Sequence, residues 1–135
     1  MKNKIIFLIS IFFLYIFEVN TFAVEDFIFE SKSIEIEKNN NIIAKDGVKV
    51  NTSDGLEIFA DKSEYNKNTQ ILKLDGSVKI FDKIQNFEIN SDKIIYDKNL
   101  EKITSKTKTK IIIDNSHIIS GKDMVFFKSK LEIQS

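Results

Sequence analysis

The sequence predicts an all-β domain, an antiparallel meander of about eight bent strands built on a repeat near 30 residues. Apolar and polar residues alternate from Asp26 onward, and turn residues recur about every fifteen positions. No window holds the i, i+3, i+4, i+7 apolar pattern of a helix over three turns. Because short turns separate successive strands, we expect neighbouring strands to pair antiparallel.

The repeat centres on residues 61–82, DKSEYNKNTQILKLDGSVKIFD. The same order returns 31 positions later, with Asp92 and Tyr96 in the places of Asp61 and Tyr65. Partial copies lie over residues 38–50 and 122–133. A period of this length indicates stacked units, each of which needs its neighbour to cover an apolar face.

The first 23 residues have the pattern of a secretory signal peptide. Two lysines precede an apolar run over residues 5–17, and Ala23 is a small residue suited to cleavage. A transmembrane helix needs about 20 apolar residues, and Glu18 cuts this run short. We therefore predict a cleaved leader and one β domain over residues 24–135.

Within that domain, alternate apolar positions predict each strand in order, with polar turns between them. The predicted inward positions are Ile34 and Ile36; Ile42, Ala44, Val48 and Val50; Leu56, Ile58, Ala60 and Tyr65; Leu72, Leu74, Val78 and Ile80; Phe87, Ile89, Ile94 and Tyr96; Ile103, Thr107, Thr109, Ile111 and Ile113; Ile118; Met124 and Phe126; and Leu131 and Ile133. In this pattern 56–65 and 103–113 each form one strand.

Two Asp-Gly pairs, Asp46-Gly47 and Asp75-Gly76, admit two interpretations. Asp-Gly between apolar runs is typical of a type I′ hairpin. The flanking runs are short, however, and the apolar parity passes through each pair, which favours a bulge inside one long bent strand. The two glycines differ by one in parity, and the pattern does not explain this difference.

Composition disfavours several classes of function. The 20 basic residues, all lysine, balance 20 acidic residues, so no polycationic surface indicates nucleic acid. The chain lacks arginine, whose planar fork suits phosphate clamps. It also lacks cysteine, which removes disulfides, thiolate nucleophiles and zinc knuckles. We expect no cofactor, no metal site and no nucleic-acid partner.

Catalytic residues are equally scarce. His117 is the only histidine and follows a turn, so we interpret it as a surface residue. Asp61 and Asp92 could serve as paired carboxylates, but their recurrence at the repeat period favours a shared structural role at bends or turns. The sequence therefore predicts a protein that is not an enzyme.

The residues that recur carry a family resemblance. Ala60-Asp61, Tyr65-Asn66 and the segment 74–78, LDGSV, resemble the OstA-like repeat of the lipopolysaccharide transport proteins. That family comprises LptA, the periplasmic domain of LptC and the N-terminal domain of LptD. The resemblance covers residues 26–133 and implies a β-jellyroll of stacked V-shaped turns with no catalytic residues.

The resemblance implies a periplasmic protein, associated with the outer membrane, that shields the acyl chains of lipid A in transit. It would be an LptA-like bridge component or the N-terminal domain of LptD. Implied partners are lipopolysaccharide and other Lpt jellyrolls, through edge-strand pairing that includes head-to-tail self-association. An LptC-like anchored subunit and a structural β-solenoid fragment without lipid binding stay open. The last copy stops at Ser135, where its second strand should begin, which predicts a truncated C-terminus.

The inward apolar face can line either a lipid groove or a closed core, because alternation requires only one buried face. Outward lysines such as Lys73 and Lys79 would be available to anionic head groups. From the resemblance we expect eleven residues to line a groove: Ile36, Val48, Val50, Ile58, Leu72, Leu74, Val78, Ile80, Phe87, Ile89 and Tyr96.

Overall fold

Twelve β-strands and one short 3-10 turn make up the residues that the computed structural model describes, 19–24 and 26–135. The strands are β1 (Asn20–Val24), β2 (Phe27–Ile36), β3 (Asn41–Thr52), β4 (Leu56–Ala60), β5 (Lys62–Asn66), β6 (Ile71–Asp82), β7 (Phe87–Asp97), β8 (Lys102–Ser105), β9 (Thr109–Ile113), β10 (His117–Gly121), β11 (Met124–Phe127) and β12 (Glu132–Gln134). The 3-10 turn, Lys128–Lys130, joins the last two strands. In this part of the chain no helix is long and apolar enough to cross a membrane.

The all-β antiparallel prediction is confirmed, but the count of strands differs. Every strand pairing is antiparallel. The predicted strands 56–65 and 103–113 are each two strands, β4 with β5 and β8 with β9. The chain bends at both joints. The inward parity continues from Ile103 to Ile111, so alternation alone could not reveal the second break, whereas between Ala60 and Ser63 the buried positions change from even to odd numbers.

The predicted leader lies mostly outside the described residues. Its last residues enter β1, which pairs with β2 from Asn20↔Ser31 to Val24↔Phe27. Cleavage after Ala23 stays a prediction.

The four long strands each bend once and contribute to two half-sheets that face each other. Half-sheet A contains segments 20–24, 27–31, 48–52, 56–60, 78–82, 87–91, 109–113 and 117–121, in that spatial order. Half-sheet B contains 33–36, 41–45, 62–66, 71–75, 93–97, 102–105, 124–127 and 132–134. The bends form one side of the molecule, and the turns that end each half-sheet form the opposite side.

The Asp-Gly pairs lie within continuous strands, so the bulge interpretation is confirmed and the hairpin alternative is wrong. Each bend is a pair of left-handed residues: Asp46 (φ 63°) with Gly47 (φ 84°), and Gly76 (φ 80°) with Ser77 (φ 45°). Both pairs lie between buried residues four positions apart, 44 and 48 or 74 and 78. Asp46 and Gly76 therefore hold the first position of their pairs, and Gly47 and Ser77 hold the second. The two glycines differ in parity because glycine is the second residue of one pair and the first residue of the other.

The turns of half-sheet B repeat with the period seen in the sequence. In each, one residue has left-handed backbone: Asn40, Gln70, Glu101 and Leu131. The Lys98 N–H donates to the Gln70 carbonyl (3.1 Å), and the Lys128 N–H donates to the Glu101 carbonyl (2.9 Å). Each turn thus satisfies a backbone group of the previous turn, which gives the repeat its physical basis.

Candidate functional site

The interior between the half-sheets holds ten of the eleven predicted groove residues. All ten are at most 4% exposed, so almost none of the predicted lining is open to solvent. They are Val48, Val50, Ile58, Leu72, Leu74, Val78, Ile80, Phe87, Ile89 and Tyr96. The candidate site is therefore a closed apolar interior in this conformation.

Ile36 is the exception, with 60% of its surface exposed. It ends β2, whose pairing register shifts between Ser31 and Ser33. Beyond that shift β2 is an edge segment that pairs with β3. An end position on an edge strand is not covered by the opposite half-sheet, although the alternation of Ile34 and Ile36 placed both inside.

Aromatic contacts join the half-sheets on the side of the turns, and three of the rings, those of Phe27, Tyr65 and Phe126, are not in the predicted lining. The Phe27 ring of half-sheet A lies 4.6 Å from the Tyr65 ring of half-sheet B, centroid to centroid. Further along, Phe87 and Phe126 make an edge contact at 4.7 Å. The alternation of Phe27 and Phe29 could have predicted that Phe27 faces inward. These odd-numbered positions do not continue into the next apolar run, because the parity changes after Ser31.

We call this side of the molecule the mouth: the turns 52–56 and 82–87 of half-sheet A, facing the turns 97–102 and 127–132 of half-sheet B. Four charged side chains meet there, and we call them the mouth cluster: Asp54, Asp82, Lys98 and Lys128.

Lys128 is the centre of the mouth cluster. Its Nζ lies 2.8 Å from Asp54 Oδ2 and 3.5 Å from Asp82 Oδ2, and it donates to the Asp54 carbonyl at 3.3 Å. Lys98 Nζ lies 3.3 Å from the same Asp54 oxygen. The Lys128 and Asp82 side chains are 7% and 0% exposed, so these charges are held in the protein interior.

The turn after β6 fixes the carboxylate of Asp82. Asp82 Oδ1 accepts from the N–H groups of Ile84 and Gln85, each at 2.8 Å, which closes the turn after β6. Its other oxygen is buried and faces Lys128. Asp82, Lys98 and Lys128 each continue the inward parity of their strands, which is the sequence signal for this cluster.

The cluster shifts the pKa values of its members. Burial opposes the charge on Asp54, but hydrogen bonds from Lys128 and Thr52 and the positive charges of Lys128 and Lys98 outweigh burial and lower its pKa to about 2. Burial likewise disfavours the charge on Lys128, and the carboxylates of Asp54 and Asp82 outweigh it and raise the Lys128 pKa. Both groups are therefore charged across the physiological range.

Tyr96 borders the cluster. Its hydroxyl is buried and has no hydrogen-bond partner among the described residues. Burial raises the pKa of this hydroxyl strongly, and the negative charge of Asp54 raises it further.

The bend side carries a cluster of small polar residues. Ser91 Oγ lies 2.7 Å from Ser105 Oγ, 2.8 Å from Thr107 Oγ1 and 2.9 Å from Thr109 Oγ1. The hydroxyls satisfy one another where β7 bends and where the chain passes from β8 to β9.

The comparisons with known proteins agree with this architecture. A sequence model described as OstA-like protein matches residues 20–133. The chain belongs to the OstA-like protein family. The resemblance of segment 60–80 is thereby confirmed. No curated protein matches the sequence.

A solved structure has the same fold as this OstA-like protein. The crystal structure of LptH, the LptA homologous periplasmic component of the lipopolysaccharide transport device of Pseudomonas aeruginosa, superposes with a TM-score of 0.73. The match covers 82% of each chain at 13% sequence identity. At that identity the likeness establishes the fold, and the predicted jellyroll is confirmed.

The predicted outward residues lie on the outer faces of this OstA-like domain. Lys73 pairs with Glu64 at 3.9 Å, and Lys79 pairs with Glu88 at 3.6 Å, both across neighbouring strands. His117 is exposed, with Nδ1 at 3.1 Å from Ser116 Oγ. Among the residues from 19 onward that the structure describes, no group of acidic and histidine side chains could hold a metal ion.

Proposed function

We propose that this OstA-like protein is a periplasmic, non-enzymatic lipopolysaccharide-binding component of a transport route to the outer membrane. It would act as an LptA-like bridge component or as the N-terminal domain of LptD. The observation that supports this most strongly is the continuous apolar interior between two half-sheets that are joined at their bends on one side. Family membership and the shared fold support the same assignment.

The mechanism is solvation of acyl chains by the inward side chains. Each methylene that moves from water into this interior contributes about 0.8 kcal/mol. Because inward residues such as Ile58 and Leu72 are fully buried, the half-sheets must separate at the mouth before a chain can enter. The bends then serve as the hinge, and acyl chains replace the contacts that the two half-sheets make with each other.

Edge strands provide the proposed contacts with other jellyrolls. Among the described strands, β10 pairs with β9 alone and β12 with β11 alone, so half-sheets A and B both end in an open edge at the C-terminal side. A strand from another OstA-like domain can extend both half-sheets and continue the apolar interior. The same geometry permits head-to-tail self-association.

Photocrosslinking tests the lipid assignment directly. Benzoylphenylalanine replaces Leu74 or Phe87 in the interior, and outward Lys73 serves as the matched control on the same strand as Leu74. Phe87 is an aromatic position, so the probe there perturbs the fold least. In bacteria that make lipopolysaccharide, we expect capture from both interior positions and little from Lys73.

The closed interior supports one other candidate, a structural module that joins neighbouring domains and binds no lipid. That module would give protein crosslinks from edge strands and no lipopolysaccharide from Leu74 or Phe87. Capture at outward Lys73 alone would also contradict the lipid proposal. N-terminal sequencing of the exported protein decides between a cleaved, LptA-like form and an LptC-like form that keeps residues 1–23.

A further inference from the structure

In the part of the chain that the structure describes, the mouth cluster crosses the side on which the half-sheets can part, because on the opposite long side the strands bend from one half-sheet into the other. Asp54 and Asp82 belong to turns of half-sheet A, whereas Lys98 and Lys128 belong to turns of half-sheet B. Lys128 and Asp54 are 74 positions apart in sequence. Their contact at 2.8 Å is therefore tertiary, and it is lost whenever the mouth opens.

The energetics of such a cluster depend on its charge balance. Desolvation of buried ions offsets most of their mutual attraction, so a complete cluster holds an interface together with little net gain. Removal of one partner leaves an uncompensated buried charge, which strongly penalises the closed arrangement. Water reaches that charge only when the interface separates.

We propose that the mouth cluster is an ionic latch, whose balanced charges hold the interior closed and whose imbalance opens it. Its role in admitting acyl chains rests on the proposed function, but the latch itself concerns only the equilibrium between closed and open mouth. Asp54 is the member most accessible to an outside trigger, with 24% of its side chain exposed against 7% for Lys128.

Spin-label distances across the mouth test the latch. The chain lacks cysteine, so Ser53→Cys with Asn99→Cys gives one unambiguous label pair on exposed turns of opposite half-sheets. In the otherwise unchanged chain we expect a single, narrow distribution of distances between the two labels. Lys128→Met leaves Asp82 buried without its cation, and we expect at least a tenfold larger population at longer distance.

Two further variants make the test specific to charge. Lys128→Met combined with Asp82→Asn removes one positive and one negative charge and leaves Asp54 paired with Lys98. Asn keeps the Oδ1 that closes the turn, so in this balanced double variant the mouth should close again. Lys93→Met breaks an exposed outer pair with Asp75 (3.0 Å) and should leave the distance unchanged. If Lys128→Met fails to fold, Asp54→Asn alone replaces it, and we expect an open population above that of the unchanged chain but smaller than the tenfold increase expected for Lys128→Met.

An unchanged distance in every folded single variant would overturn the latch. So would an open mouth in the balanced double variant, since charge imbalance would then not be the cause. Lipopolysaccharide capture is measured separately. If the mouth widens but Leu74 and Phe87 capture no lipid, the latch holds and the proposed function fails. If lipid is captured but the mouth never responds, the proposed function holds and the latch fails.

Discussion

The carboxylate of Asp61 lies directly against the Cα of Gly76, on the strand that pairs beside it. A Cβ built on Gly76 would come within 2.8 Å of Asp61 Cγ. The Asp61 N–H donates to the Gly76 carbonyl at 2.9 Å, and the Asp61 carbonyl accepts from the Gly47 N–H at 3.2 Å. Three neighbouring strands are thus tied together at the bend by the main chain of one aspartate.

We expect Gly76→Ala to destabilise the protein by about 2–3 kcal/mol, because alanine is strained at φ 80° and its methyl group would collide with Asp61. Gly47→Ala is the matched control, since Gly47 has a similar φ of 84° with nothing within 4 Å of the added Cβ. It should cost only about 1 kcal/mol. Urea denaturation measures both, and equal costs would show that the contact with Asp61 contributes nothing.

Acid stability should depend on Asp54. Its pKa is about 2 in the folded protein against an ordinary value of 3.8 for an aspartate, so the unfolded chain takes up the proton first as pH falls. The stabilisation is complete above about pH 4 and is lost as pH decreases toward 2. Asp54→Asn should remove this part of the pH dependence and destabilise the protein by about 1–2 kcal/mol at pH 7.

Free energies of unfolding between pH 2 and pH 7 check this prediction. Asp75→Asn, at an exposed carboxylate that pairs with Lys93, is the control and should follow the original profile. An identical slope for Asp54→Asn and the original chain would contradict the assignment.

Tyr96→Phe should leave the protein as stable or make it more stable by about 1 kcal/mol, because the hydroxyl is buried without a hydrogen-bond partner among the described residues. The effect should grow above pH 10. There the tyrosine of the unfolded chain ionises, whereas burial keeps the folded hydroxyl protonated and so disfavours folding as pH rises. Thermal denaturation at pH 7 and pH 10.5 measures the difference, and a loss of stability at both would contradict it.

Ile119→Lys on edge strand β10 should weaken any head-to-tail association, since a charge at an open edge opposes pairing with another strand. Ile119 is 39% exposed. Ile95→Lys is the matched control, at a residue 46% exposed on central strand β7. Sedimentation over a range of concentrations should show about a tenfold weaker dimer for Ile119→Lys alone. Equal weakening by both variants would exclude β10 as the contact.

The repeat and the turn residues made the bend predictable. Leu72, Leu74, Val78 and Ile80 keep one parity through Asp75-Gly76, and a glycine inside a strand indicates a bulge. The same reasoning could not place the bend in β2, because the segment 31–33 contains no glycine and the parity of the buried positions changes there. Ile36 shares the parity of the partly buried Ile34, and it is exposed because it ends an edge segment that the opposite half-sheet does not cover.

The sequence by itself determined the antiparallel strands, the 30-residue period, the bends at the Asp-Gly pairs and the burial of ten of the eleven predicted groove residues, because alternation and glycine are local signals. The same alternation also placed Ile118 and Leu131 inside, and both are exposed. Only the tertiary structure decided that the interior is closed and that Asp54 meets Lys128 across the mouth. Lys128 and Asp54 are 74 positions apart in sequence, and their contact depends on how the two half-sheets pack. A local sequence pattern carries no information about that packing.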